Sequence, residues 1–182
     1  MLRELLLLFQ VSTKDGTTSG LPALALAMEP AESEIMRRPP FSPQESIFAR
    51  GLGRHIVWVG ILMASLSMGV GYGYWRADHP NWQTMVFTTL TVSQMAHVMA
   101  IRSERDSLFR IGLLSNKPLL AAVLLTIILQ LGLIYAPVLQ GVFGTSALSP
   151  LDLGLSILLS GCVFAAVELE KWLLRVRRPH PR

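Results

Sequence analysis

The sequence predicts an all-α fold, an integral membrane helical bundle with four transmembrane helices and a partial N-terminal helix. Of its 182 residues, 51% are apolar and only 15% are charged, whereas a soluble domain carries about 25% charged residues. The mean hydropathy is +0.46. The charges are also segregated, because Lys and Arg lie at the ends of long uncharged stretches and form no basic patch with aromatic residues. This pattern indicates a lipid bilayer as partner and no nucleic acid.

Four uncharged stretches are long enough to cross a bilayer. About 20 apolar residues in a helix span a hydrocarbon core of roughly 30 Å, and a helix pairs its own backbone polar groups there. None of the four contains Lys or Arg, and Asp152 is their only carboxylate. The predicted spans are residues 55–75, 82–101, 118–139 and the shorter 151–167.

Capping residues mark where these helices begin. Asp78-His79-Pro80-Asn81 precedes the second span, and Asn116-Lys117-Pro118 opens the third. Ser149-Pro150-Leu151-Asp152 opens the fourth, where Ser149 can cap, Pro150 fits the first helical position and Asp152 faces the positive end of the helix dipole.

The distribution of Lys and Arg predicts the orientation of the four-helix block. From residue 37 onward, thirteen of these residues lie before the first span, between spans two and three, or after the fourth, against Arg76 alone in the two other connections. Because basic loops stay in the cytoplasm, both ends of the block are expected there, with residues 76–81 and 140–150 outside. We therefore expect a multi-pass protein of the cell membrane.

Four regions follow from these patterns. Residues 1–19 form a divergent or truncated N-terminal segment, and residues 20–54 form the end of a membrane helix followed by a cytoplasmic linker. Residues 55–168 form the four-helix domain, and residues 169–182 form a basic cytoplasmic tail. The tail is expected to contact anionic headgroups; a regulatory role is the alternative.

Several motifs resemble those of a known family. GLPALALA at 20–27, EPAE at 29–32 and IMRRPP at 35–40 resemble the end of the sixth membrane helix and the following linker of cation-transporting P-type ATPases, in the calcium, manganese and sodium pump branch. SERDSLF at 103–109, SNKP at 115–118 and ELEKW at 168–172 resemble the C-terminal membrane domain of the same pumps, helices seven to ten. The resemblance covers roughly residues 20 to 178.

The resemblance implies a role in cation transport, with calcium, manganese and sodium as the cations of this branch, in which these helices support the helices that enclose the ions. The family's Asp-Lys-Thr-Gly-Thr, Thr-Gly-Glu and Gly-Asp-Gly motifs do not occur in this sequence. We therefore expect no ATPase activity from the chain on its own and no cofactor in it, since ATP and Mg belong to the complete pump. The chain is expected to be a split subunit, a truncated product or a decayed remnant, with the rest of a pump or another membrane subunit as partner.

Three residues are candidate cation ligands through this resemblance. Ser19 stands where the family has an aspartate before Gly-Leu-Pro, and Asp15 lies one helical turn earlier; the alternative is that residues 10–19 have no role in ion binding. Gln94, within Val92-Ser93-Gln94-Met95-Ala96, matches a position that supplies a side-chain oxygen in some pumps. The alternative is that Gln94 only bonds to a neighbouring helix.

Two further patterns concern packing. Thr84, Thr88, Thr91 and Gln94 fall within about 120° of one another on a helix, and such a polar stripe is expected to face protein. In the first span, small residues at four-residue spacing permit close helix approach within the bundle or with a partner. These residues are Gly60, Ala64, Ser65, Gly69 and Gly73.

Two other functions are compatible with four apolar spans. The chain could be an independent four-helix membrane protein with a structural or regulatory role on a partner. It could also be a small transporter, although its spans carry few ionisable groups and no internal repeat. The scattered histidines and Cys162 match no transition-metal spacing, so no metal is expected beyond the transported cation.

Overall fold

The structure, a computed structural model, describes residues 52–102 and 116–177. The helices in these ranges are α1 (Leu52–Arg76), α2 (Trp82–Ala100), α3 (Lys117–Tyr135), α4 (Pro137–Phe143) and α5 (Pro150–Arg177). No strand occurs within them. The predicted N-terminal segment, the partial helix and its linker as far as residue 51, and the last five residues of the tail lie outside the described residues.

Three of the described helices are long and apolar enough to cross a membrane. They are α1, α3 and the part of α5 up to Leu174. The chain is therefore an all-helical membrane protein over its described part. The second predicted span forms α2 but does not reach the same apolar content, so a fourth crossing stays a prediction.

The third predicted span ends earlier in the structure than the sequence indicated. We expected helix as far as residue 139, but α3 ends at Tyr135 and α4 begins at Pro137. A proline inside a helix has no N–H for the ladder and its ring clashes with the preceding turn. Ala136 accordingly has an extended backbone, with ψ of 117°, as expected for a residue before proline.

The fourth predicted span continues ten residues beyond its expected end, because α5 runs from Pro150 to Arg177. At 1.5 Å per residue it is about 42 Å long, which exceeds the hydrocarbon core. Glu168, Glu170 and Lys171 follow the apolar part without a helix-breaking residue. These three residues have good helix propensity, so the helix continues.

Helix α2 lies at the centre of the bundle. It packs most extensively against α5 and α1, and α3 contacts it along a shorter stretch. Three apolar clusters hold these contacts: Val59, Met63, Ala100, Val163 and Val167; Met95, Leu119 and Val123; and Met85, Ile134 and Leu148. The large apolar residues on the outer sides of α1, α3 and α5 remain exposed, as expected for surfaces that face lipid.

The bundle has two ends, which we name by the chain segments found there. The hairpin end carries the α1–α2 connection, residues 77–81, and the α3–α5 connection, residues 136–149. The open end carries the beginnings of α1 and α3 and the C-terminal ends of α2 and α5. Helices α2 and α5 therefore run in the same direction, from the hairpin end to the open end.

The predicted caps of α3 and α5 are confirmed, whereas Asn81 at the start of α2 makes no side-chain cap hydrogen bond. Asn116 Oδ1 accepts a hydrogen bond of 2.9 Å from the Leu119 amide. At the start of α5, the Asp152 amide donates to Ser149 Oγ and the Ser149 amide donates to Asp152 Oδ2, each at 3.2 Å. Such caps satisfy backbone N–H groups that have no partner within the helix.

Replacing Asn116 by alanine is expected to destabilise the bundle by about 1 kcal/mol, because the first turn of α3 loses its cap. The free energy of unfolding in detergent measures this loss. Asn116→Asp is the matched control, since its carboxylate can accept the same bond, and it should retain most of the stability. An alanine variant as stable as the parent would show that the cap contributes nothing.

Candidate functional site

A ladder of buried hydroxyl groups joins α2 to α5. Thr89 Oγ1 donates to Ser156 Oγ at 3.1 Å, and the hydroxyls of Ser93 and Ser160 are also 3.1 Å apart. Because the two helices run in the same direction, residues four positions apart on each helix form successive rungs. All four side chains are at most 1% exposed. Hydroxyl pairs of this kind let helices associate in an apolar environment.

Two further hydroxyls of α2 bind other parts of the chain. Gln130 Nε2 of α3 donates to Thr88 Oγ1 at 3.2 Å. The Ser146 amide, in the α3–α5 connection, donates to Thr84 Oγ1 at 2.9 Å. Helix α2 therefore directs polar groups to several neighbours at once, which explains why it is less apolar than the helices around it.

Only two of the four residues in the predicted polar stripe are buried. Thr84 and Thr88 are buried, but Thr91 and Gln94 are half-buried. Thr89 and Ser93 bind α5 instead, and the predicted stripe did not include them. One polar face was expected for α2, whereas α2 is in contact with α1, α3 and α5.

Gln94 lies in a groove between α1 and α2. The groove has a volume of about 360 Å³ and is otherwise lined by apolar residues and His97. Within the described part of the chain, no hydrogen-bond partner of the Gln94 amide is seen. The alternative that Gln94 bonds to a neighbouring helix therefore finds no support among the described helices. The lining residues are Gly60, Met63, Ala64, Leu90, Gln94, Met95, His97 and Val98.

Gln130 and Gln94 are expected to respond differently to replacement by leucine. Gln130→Leu should destabilise the bundle by about 0.6 to 1.7 kcal/mol, because Thr88 loses its partner in an apolar environment. Gln94→Leu should leave the free energy of unfolding unchanged or raise it, because Gln94 has no such bond to lose within the described bundle and leucine removes an amide without a partner. Equal losses in the two variants would show that Gln94 is bonded inside the chain.

The predicted small-residue face of α1 is exposed. Gly60 and Ala64 line the groove beside Gln94, and Ser65, Gly69 and Gly73 are also exposed. A Cβ atom added at any of the three glycines would meet nothing within 4 Å. That these residues pack against a helix of a partner therefore stays a prediction.

The close approach of α1 to α2 occurs at a glycine that the sequence analysis missed. A Cβ atom added at Gly71 would lie 2.2 Å from Val86 Cγ2. Gly71 completes the buried row of α1, four residues apart, with Val59, Met63 and Ser67. The same four-residue spacing occurs on the exposed side of α1, so the sequence did not indicate which glycine faces inward.

Charged and aromatic residues join α5 to α1 and α2 at the open end. Glu170 accepts a hydrogen bond from Trp58 Nε1 at 3.1 Å and also binds His55 Nδ1. The His55 ring stacks on that of His97, with centroids 5.5 Å apart. Glu170 was assigned to the tail region at 169–182, but it faces the bundle.

Lys171 is also directed into the bundle. Its Nζ atom donates to the Ala100 carbonyl at the C-terminal end of α2 and pairs with Glu168 Oε1. A cation at this place satisfies a backbone carbonyl without an intrahelical partner and interacts favourably with the helix dipole. The side chain is buried, so it is not placed to anchor a tail to headgroups.

Two of the three candidate cation ligands, Asp15 and Ser19, lie outside the described residues. The structure places only Gln94, and it places that residue beside Gly60 and Ala64 of the predicted small-residue face. Two features that were separate in the sequence thus lie in one groove. A single amide oxygen cannot hold a hard cation, since calcium takes six to eight oxygen ligands.

Comparison with known proteins decides the family. The cation-transporting ATPase C-terminus family matches residues 16–173. The chain belongs to this family. Its match covers all five described helices except the last residues of α5, and it also includes Ser19 and the Gly20-Leu21-Pro22 motif. The predicted relation to cation pumps is confirmed at this level.

Curated relatives are much longer than the matched region. The chain is 39% identical over 138 residues to a calcium-transporting ATPase of Bacillus subtilis, covering 74% of this chain and 15% of the relative. It is 36% identical over 168 residues to mouse calcium-transporting ATPase type 2C member 2, covering 87% of this chain and 18% of the relative. For calcium-transporting ATPase 1 of Yarrowia lipolytica the identity is 35%, covering 87% and 17%. The chain thus spans less than a fifth of the length of these relatives.

Proposed function

We propose that this chain is the C-terminal membrane domain of a P-type calcium pump, which supports the ion-translocating helices and does not hydrolyse ATP by itself. In this proposal α1, α2, α3 and α5 correspond to membrane helices seven to ten of the family. The observation that carries it is the match of residues 16–173 to the cation-transporting ATPase C-terminus family. The half-buried Gln94 amide, which lies in an open groove without a partner in the described bundle, supports it.

The hydroxyl groups of α2 differ from Gln94 in having hydrogen-bond partners, and this difference supports the proposed role. Thr84, Thr88, Thr89 and Ser93 all have partners within the described chain. Gln94 does not, although an amide in an apolar environment loses free energy when it has no hydrogen bond. Its side chain is therefore suited to a group on helices that the described chain does not supply.

The groove is also suited to a neighbouring helix. Gly60 and Ala64 present little side-chain volume beside Gln94, and small residues let helix backbones approach closely. A helix seated there would bring its own ligands next to the Gln94 oxygen. The domain would then complete a cation site whose other oxygen ligands come from elsewhere, Ser19 and Asp15 being candidates among them.

We place the chain in the cell membrane, and the distribution of basic residues supports an orientation with the open end in the cytoplasm. Arg54, Arg102 and Lys117 lie at the open end, whereas Arg76 is at the hairpin end. Lys and Arg are retained on the cytoplasmic side of membranes. The same assignment places residues 101–116 and the end of α5 inside the cell.

Reconstitution of a split pump tests the proposal. A related calcium pump truncated before the matching region is co-expressed with this chain, and ATP-dependent calcium uptake is measured in inverted vesicles. The chain should restore uptake, Gln94→Ala should lower it, and Leu158→Ala on the exposed side of α5 should not. Copurification of the two parts without uptake would contradict the proposal and favour a structural or regulatory role.

The purified chain provides a second test. Because one amide oxygen does not make a calcium site, calorimetry on the chain alone should detect no tight binding of calcium or manganese. Tight binding would show a complete site within this chain. That result would contradict the proposed division of ligands between this domain and its partner helices.

A further inference from the structure

In the connection between α3 and α5, polar side chains bond to the protein while large apolar side chains are exposed. Its polar side chains turn towards the bundle: Gln140 Nε2 donates to the Ile134 carbonyl, and Thr145 Oγ1 donates to the Leu133 carbonyl. Both carbonyls lie in the last turn of α3, where the helix itself supplies no donor. These two polar side chains of the connection therefore have their hydrogen-bond partners within the protein.

Several apolar side chains of α4 face outward, whereas Leu148 of the same connection is buried. Val138 is 79% exposed and Val142 is 73% exposed, and these two residues lie one turn apart on α4. Phe143 and Leu151 are exposed as well. No charged residue occurs between Lys117 and Asp152. Apolar residues outside and polar residues inside characterise a surface that faces lipid and not water.

The position of α4 is fixed by the helices on either side of it. Only Ala136 separates it from α3, and residues 144–149 lead into α5, so α4 lies at the level where both helices leave the bilayer. Tyr135 at this level donates to the Leu148 carbonyl at 3.0 Å. Trp75 is exposed at the same end, and such rings prefer the membrane interface.

The other connection at the hairpin end differs. Residues 77–81 read Ala-Asp-His-Pro-Asn, and Asp78 and His79 are exposed. This connection has the composition of a loop in water. The apolar exposure of α4 is thus a property of one connection and not of the whole end.

We propose that α4 lies in the membrane interface at the hairpin end, with Val138, Val142 and Phe143 inserted among lipid acyl chains. The part of the bilayer that α4 would contact is the boundary between the lipid headgroups and the acyl chains. Because α4 carries no charge, its insertion is driven by apolar contact and does not require anionic lipids. The proposal rests on the membrane embedding of α3 and α5 and is independent of calcium transport.

Spin labels test the proposal in the full chain, reconstituted in zwitterionic phosphatidylcholine nanodiscs. Labels are placed by Val138→Cys and, separately, Val142→Cys in a Cys162→Ala background. Collision rates with oxygen and with a water-soluble nickel chelate are then compared. Ala77→Cys is the control in water at the same end, and Leu158→Cys is the control on the exposed side of α5.

The ratio of oxygen to nickel collisions at both α4 positions should exceed that at residue 77 by at least about threefold, since apolar side chains enter the acyl boundary. The ratio should stay below that at residue 158, and added anionic lipid should not change it. A ratio equal to that at residue 77 would overturn the proposal by placing α4 in water. Low collision rates with both reagents would overturn it by showing that protein covers α4.

Discussion

Gly71→Ala is expected to destabilise the bundle by about 1 to 3 kcal/mol, the usual range for added volume in a packed interior. The new Cβ atom would lie 2.2 Å from Val86 Cγ2, where α1 and α2 approach most closely. Valine is branched at Cβ and has one strongly preferred rotamer in a helix. It cannot turn away without cost, so the two helices must separate.

Two other glycines of α1 provide matched controls. Gly69→Ala and Gly73→Ala add the same atom in open space and should stabilise α1 slightly, by about 0.5 to 1 kcal/mol, because glycine is a poor helix residue. The free energy of unfolding in detergent distinguishes the three variants. Val86→Ala should reduce the loss caused by Gly71→Ala. If Gly71→Ala behaved like Gly69→Ala, the close approach of α1 and α2 would be wrong.

Glu170→Leu is expected to cost about 1.5 to 3 kcal/mol, the range for hydrogen bonds to a charged group. The substitution removes the acceptor of both Trp58 Nε1 and His55 Nδ1 and leaves these groups half-buried between α1 and α5. The open end should loosen before the rest of the bundle. Amide hydrogen exchange in the first turns of α1 and the last turns of α5 measures that loosening.

Glu170→Gln is the control for this effect. Its amide oxygen can still accept from Trp58, so part of the stability should remain, and the difference between the two variants reports the carboxylate itself. A leucine variant with the stability and exchange rates of the parent would show that Glu170 does not join the two helices.

The sequence predicted the starts of α3 and α5 well. Asn116, Ser149 and Asp152 cap the helices that they were expected to open, because a cap depends on residues within four positions. The prediction for the end of the third span was wrong. Pro137 is a signal for this end, whereas the apolar run continues without a break to residue 139.

Contacts between distant residues could not be predicted in the same way. His55 and Glu170 lie 115 positions apart, and no local pattern in the sequence pairs them. The same holds for Ser93 and Ser160, which meet because α2 and α5 run in the same direction. Lys171 was assigned to a tail region for its charge, whereas the end of α2 gives it a carbonyl partner.

The groove at Gln94 shows what was predictable about the site. The resemblance pointed to Gln94, and spacing pointed to Gly60 and Ala64, but only the structure places the three in one groove. The sequence grouped Gly69 and Gly73 with them because it could not show which side of α1 faces α2.

Helix α2 is expected to be a further crossing that hydropathy alone does not indicate. Its buried hydroxyls lower its apolar content, but α1, α3 and α5 separate them from lipid, and partnered polar groups are tolerated inside a membrane bundle. We therefore expect α2 to cross the bilayer although its composition is less apolar than that of its neighbours.

Cysteine labelling from outside intact cells tests most directly whether α2 crosses the membrane. Ala77→Cys and Arg105→Cys, each in a Cys162→Ala background, place a thiol on either side of α2 in the sequence. A membrane-impermeant reagent should label residue 77 in intact cells and residue 105 only after permeabilisation. Labelling of both residues from the same side would show that α2 does not cross, and it would contradict the four-helix domain and its assignment to the pump.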